Sequence, residues 1–140
     1  MSMISAVKDY IKTFSGLKAN APVFVDQLGP NPTNYGIIPL AGDRVVARYL
    51  NGGSIRQFMF AVQSTESTAD ELERIETSGF YEALADWFES QTNSGVLPTL
   101  GTGKTCTSIA AEGWAYLYES SQSRTGVYRI QCVLEYEQEA

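Results

Sequence analysis

Between Ser78 and Gln91 the chain reads SGFYEALADWFESQ, the one long segment whose apolar residues keep a single helical face throughout. At 3.6 residues per turn, Phe80, Leu84, Trp87, Phe88 and Gln91 fall on one side, with Tyr81 at its margin and Ala83 beyond the other edge. Glu82, Asp86 and Glu89 fall on the opposite side. Ser78 is placed to accept from the orphan N–H groups of a first turn, Glu82 lies near the positive end of the dipole, and Asn93 and Gly95 supply a stop. So wide an aromatic face needs a broad apolar surface beneath it, and the segments on either side read as strands. The expectation is an α+β fold in which one long helix packs across a mixed, mainly antiparallel sheet. A Trp and Phe stripe at this spacing is ordinarily core, so Phe80, Leu84, Trp87 and Phe88 are predicted to form the core face, Trp87 being core and not interface.

A chain of 140 residues is expected to make one domain, 1–140, able to bury about two-thirds of its unfolded surface without staples. The apolar fraction of 44% is that of a soluble globular chain, and no apolar run reaches the length of a membrane span, so no membrane partner is expected. The start, MSMISAVKDYIKTF, is interrupted by Lys8, Asp9 and Lys12, which argues against a secretion signal and for a protein made and kept in a cytoplasm. Cys106 and Cys132 are too few for a disulfide framework and read as small buried hydrophobes. A net charge of −6 with scattered bases argues against binding nucleic acid through its phosphates. Eight of the sixteen acids lie between Glu66 and Glu89, where Arg74 is the only base, so the acidity belongs mainly to one face.

In chain order, Met3, Ile4, Val7, Tyr10, Ile11 and Phe14 share a stripe that predicts a first helix, with Gly16 available to end it. VFVDQL alternates as a strand and GPNPTN reads as a turn or extended loop, while Tyr35 to Leu40 reads as a short strand whose Pro39 suits an edge. Arg44 to Leu50 and Ser54 to Ser64 flank Asn51-Gly52-Gly53, the signature of an antiparallel hairpin, and the second strand is long enough to extend as an arm. STADELERIE, from Ser67 to Glu76, reads as a separate short helix with Thr68 and Glu71 at capping-box spacing. Its Leu72 and Ile75 point to a different sector from the Phe80 to Phe88 face, which places a break at Thr77-Ser78-Gly79. Three further strands are expected at Thr105 to Ala111, Gly113 to Tyr118 and Gly126 to Tyr136. The last alternates cleanly through Tyr128, Ile130, Cys132, Leu134 and Tyr136 and is expected to be central under the long helix. SSQSRT joins the last two as a polar loop, and EQEA is a solvated tail.

The chain holds no histidine, which removes Ser-His-Asp and Cys-His catalysis and any imidazole-ligated metal. LGTGKT, Leu100 to Thr105, is a fragment of a phosphate-binding loop, but the position requiring the first glycine is Pro98, and the fragment leads into a strand and not a helix. The Glu82 and Asp86 pair is explained by a solvated helix face, and no calcium-loop spacing occurs. No catalytic, cofactor-binding or metal-binding residues are therefore expected, and the reading is of a protein that is not an enzyme and carries no cofactor.

Three stretches, RYLNGGSIRQFMFAVQSTES, SGFYEALADWFESQTNSGVLPTL and YRIQCVLEYEQ, in this order and spacing, resemble small proteins of the neck and tail region of siphophages and prophages of Gram-positive bacteria, usually called minor capsid or tail-completion proteins. The resemblance covers most of the chain from about Tyr35 onward. It implies a tail-terminator-like fold of an N-terminal helix, a strand group, a long helix across the sheet and closing strands. It also implies a homo-oligomeric ring, most naturally of six subunits, that caps the tail tube made by the major tail protein and meets the head-completion proteins of the virion neck. A neighbouring head-tail joining protein, or a monomeric prophage adaptor or regulator, is the alternative.

From the residues themselves, the Arg44 to Ser64 hairpin is expected to contribute to a subunit interface through Arg48, Tyr49, Arg56 and Phe58, because Arg and Tyr are enriched at interface centres and a protruding ribbon can pair with a neighbour. In a ring, DNA would pass through the lumen without specific binding. Glu66 to Glu76 is then expected to face the lumen, and Glu82, Asp86 and Glu89 the outside.

Overall fold

The computed structural model describes residues 2–17, 23–25, 35–68, 70–120 and 124–140. The first helix, α1 (Met3–Ile11), is opened by Ser2, whose hydroxyl accepts from the Ser5 N–H at 3.2 Å. Its apolar stripe buries Ala6, Val7, Tyr10 and Ile11, and Phe14 continues the same surface just past the helix end. Six strands follow among the described residues: β1 (Val23–Val25), β2 (Tyr35–Pro39), β3 (Val45–Arg48), β4 (Ser54–Ser67), β5 (Lys104–Ser120) and β6 (Thr125–Gln138). They form one sheet in the order β1-β2-β4-β6-β5, with β3 also paired to β4. Only β1 and β2 run parallel, so the sheet is mixed and mainly antiparallel as expected. The second helix, α2 (Glu71–Ser94), crosses it.

The core lies between the two helices and one sheet face. Tyr35, Ile37, Phe60, Val62, Ile109, Ile130 and Leu134 from the sheet meet Val7 and Ile11 of α1 and Tyr81, Leu84 and Phe88 of α2. The alternation read in β6 holds throughout, since Tyr128, Ile130, Cys132, Leu134 and Tyr136 are all buried. Trp87 and Phe80 fill the seam between the helices: Trp87 lies 4.9 Å from Tyr10 and 5.1 Å from Phe14 by ring centroids, and Phe80 lies 5.2 Å from Tyr35. Tyr10 also donates to the Val96 carbonyl at 2.7 Å, fastening α1 to the chain beyond α2.

Four expectations need correction. No break interrupts α2: the helix is continuous through Thr77-Ser78-Gly79, so Ser78 is no cap. The cap is Asp70, not Thr68, with its carboxylate accepting from the Glu73 N–H at 2.8 Å. Thr105 to Ala111 and Gly113 to Tyr118 are one strand, β5, in which Gly113 (φ 75°) occupies a conformation that side chains resist, and the irregular register between Glu112 and Tyr116 absorbs the extra residues. The long β4 is not an arm, because all 14 of its residues pair with β6, from Ser54 against Gln138 to Ser67 against Thr125. Its other edge is shared, β3 covering its start and β2 covering Phe60 to Ser64. Within β2, Pro39 stands beyond the last β1 partner, Ile37, where a missing N–H costs no ladder bond to β1. Gly95 ends α2 as expected, in the left-handed region at φ 75°. The expected GPNPTN turn, the end of VFVDQL and the middle of SSQSRT lie outside the described residues.

Candidate assembly surfaces

The hairpin between β3 and β4 is closed by local bonds: the Tyr49 N–H donates to the Gly53 carbonyl at 2.8 Å, and the Asn51 side-chain oxygen accepts from the Gly53 N–H at 2.9 Å. This turn lifts Leu50 entirely into water, at 109% of its reference exposure, with Tyr49 and Val46 about half exposed beside it. Arg48 is exposed at the same tip. Arg56 is half-buried at the base, where its Nε donates to the Ser54 hydroxyl at 3.0 Å. Phe58 lies further along β4, half-buried and stacked on Phe60 at 5.7 Å. Of the four residues expected at an interface, Arg48 and Tyr49 thus share the tip, while Arg56 and Phe58 step back from it toward the core.

A second surface lies at the far edge of the sheet. Between α2 and the second half of β5 is a cleft of about 580 Å³ lined by Ala85, Glu82, Asp86, Trp114 and Ala115 among others. Its charged lining residues are both acids. Glu89 borders a smaller cleft of about 280 Å³ further along the same helix. Trp114 is 77% exposed, and Tyr116, Leu117 and Tyr118 further along β5 are about half exposed. In the sequence Gly113 to Tyr118 reads as a separate strand, and nothing in its spacing shows that it borders α2. Leu72 and Ile75 are exposed too, on the first turns of α2, and their separate angular sector was the sign of it.

On the sheet face away from the helices, polar groups hold the strands in register. Arg129 donates to the Gln63 side-chain oxygen at 2.9 and 3.2 Å, and its guanidinium carbon lies 3.6 Å from the Tyr118 ring centroid. On the core side, Tyr81 and Ser64 hydroxyls are 2.6 Å apart and the Tyr81 hydroxyl donates to the Tyr128 carbonyl at 3.1 Å. Burial pushes the Tyr81 hydroxyl far above its ordinary value despite the Ser64 bond, and raises Tyr10 as well, against a lowering bond from Gln91.

Both cysteines are buried free thiols. Burial raises Cys106 to about 11 and Cys132 further still, so neither offers a thiolate at neutral pH. Among the described residues no group of three or more Cys, Asp or Glu is gathered closely enough to hold a metal ion. The Leu100 to Thr105 fragment turns through Gly101 to Gly103 and enters β5 at Lys104, so no helix N-terminus stands behind it. Glu66 is buried, and so cannot line a lumen, whereas Glu82, Asp86 and Glu89 are exposed. No helix among the described residues is long and apolar enough to cross a membrane.

No protein-family model matches this chain, and no curated protein matches it in sequence. Among solved structures, a chain in the virion of a native gene transfer agent particle has a similar fold, with a TM-score of 0.54 and 15% identity over 99% of this chain and 96% of that one. At that identity the likeness is one of fold, extending over nearly the whole of both chains.

Proposed function

We propose that this chain is a non-enzymatic structural protein of a phage virion, acting in the neck as a tail terminator: six copies form a ring that caps the tail tube and joins it to the head-completion complex. It would be made in the cytoplasm of the bacterial host and end in the virion. The observation that carries the reading is the fold shared almost end to end with a virion chain. The sequence resemblance to tail-completion proteins supports the finer role, and the hairpin tip with Arg48 and Tyr49, backed by Arg56 and Phe58, supplies a candidate subunit contact. With a net charge of −6, a ring lumen would let DNA pass without holding it.

Three experiments test this. Light scattering and electron microscopy of the purified protein should give a six-fold ring, and particles made without it should show heads and tails that fail to join. A protein that stays monomeric at every concentration would overturn the ring, and particles that assemble normally in its absence would overturn the neck role. Duplex DNA should not bind even at low ionic strength, where attraction is least screened. A micromolar gel shift that fades with salt would point instead to a prophage adaptor.

A further inference from the structure

We propose that the Arg48-Tyr49-Leu50 tip of one copy seats in the cleft between α2 and β5 of the next, so that copies associate head to tail. The inference rests on the ring reading above and names the two surfaces that would make it. The tip has the form of a knob: a fully exposed Leu50, a half-exposed Tyr49 and an exposed Arg48, on a turn held rigid by its own hydrogen bonds. Such a projection loses little conformational freedom on docking. The cleft is its complement. Ala85 and Ala115 give it apolar walls for a leucine, Glu82 and Asp86 give it negative charge for an arginine, and Trp114 offers an exposed ring face to a guanidinium. Between residues 40 and 60 the chain carries three arginines against one aspartate, so the two surfaces differ in sign.

Topology makes the contact intermolecular. β3 lies on one edge of β4, and β6 separates β4 from β5 on the other, so tip and cleft belong to opposite edges of one sheet. A contact between two different surfaces is heterologous, and it closes into a ring when the rotation per copy divides the circle. Strand addition along the outer edge of β5 is the competing mode. It is disfavoured by the three register irregularities in that strand, which interrupt the even row of backbone groups a new strand would need.

Cross-linking reads the contact directly, since both native thiols are buried. Leu50→Cys combined with Asp86→Cys should give, on mild oxidation, a ladder of covalent multimers on a non-reducing gel, and each single variant should give none. Arg48→Glu should lower the mass in solution about six-fold, from ring to monomer, while the circular dichroism spectrum stays that of the folded parent, because the side chain is exposed. Adding Glu82→Arg and Asp86→Arg to it should restore the ring. A ring that persists in Arg48→Glu with no ladder from the double cysteine variant overturns the tip-in-cleft contact and leaves the ring reading standing. A dimer from Leu50→Cys alone shows tips meeting tips and overturns it too. A parent protein that is monomeric at every concentration overturns the ring reading itself.

Discussion

From Glu71 to Glu76, α2 carries Leu72 and Ile75 into solvent, whereas from Thr77 onward the same helix buries Thr77, Tyr81, Leu84 and Phe88. Backbone and cap are continuous across the two halves. What differs is the support beneath: the second half lies over β4, β5 and β6 and against α1, and the first shows apolar side chains that no described residue covers. Helix length and helix face thus have separate causes. Length follows from the Asp70 cap, the run of helix formers and the Gly95 stop, while the face follows from what the helix rests on. An apolar pattern that changes sector mid-helix can therefore mark a change of support and not an end.

The largest difference between the halves should appear on truncation. Phe88→Ala should cost about 3–5 kcal/mol, through lost transfer energy and an unfilled cavity. Trp87→Ala should cost about 3 kcal/mol, since it pins α2 to Tyr10 and Phe14 with part of its ring in water. Leu72→Ala should stay within about 0.5 kcal/mol. Urea unfolding of the three variants measures this, and similar losses in all would mean that the first half is supported after all.

Next in size is Tyr81→Phe, which strips a hydroxyl from the Ser64 hydroxyl and the Tyr128 carbonyl and should cost about 1–3 kcal/mol. The same burial sets a pH dependence. Tyr81, Tyr10, Cys106 and Cys132 all have their folded values raised, so their protonated forms are favoured by folding. Their contribution is complete below the ordinary thiol value of 9.0 and is lost as pH rises through about 11 for Cys106 and beyond it for Cys132 and Tyr81. Urea midpoints taken from pH 8 upward should fall from about pH 9, and the fall beyond pH 10 should be shallower in Tyr81→Phe. A flat profile would mean that these groups ionise freely in the folded state.

Gly95→Ala probes the end of the supported half. The residue sits at φ 75°, and a side chain there should cost about 1 kcal/mol. Thermal unfolding would detect it as a lower Tm, and an unchanged Tm would show that the end frays.

Local patterns revealed what depends on local periodicity. The buried face of β6 from Tyr128 to Tyr136, the α1 stripe, the hairpin at Asn51-Gly52 and the covering face of α2 were all legible from spacing. Pairings between distant segments were not. The length of β4 suggested an arm because nothing local shows that β6 matches it residue for residue over 14 positions. Thr68 with Glu71 and Asp70 with Glu73 have the same capping spacing, and only the fold selects the second. The cleft escaped the sequence reading for the same reason, since Ala85 and Ala115 become neighbours only when α2 is laid across β5. The exposed tip is half visible in the sequence: Arg48 and Tyr49 are residue types that favour interfaces, but Leu50 reads as the end of a strand and stands in water.

A small gain in stability bears most directly on the junction between the halves. Gly79 lies inside α2 with helical backbone, it is exposed, and a Cβ built there would meet nothing within 4 Å. In a helix interior glycine is about 0.5–1 kcal/mol less favourable than alanine, because the unfolded chain has more freedom to lose. If α2 is continuous, Gly79→Ala should therefore raise stability by about that amount, a rare gain for a change that adds no contact. If the chain instead turned at Thr77-Ser78-Gly79 with glycine in the left-handed region, the same substitution would introduce strain and lower stability. The sign of the shift in urea midpoint separates the two. A gain would also show that the helix runs unbroken through Gly79, so that Leu72 and Ile75 are held out in solvent by a helix that is buried on one face from Thr77 onward.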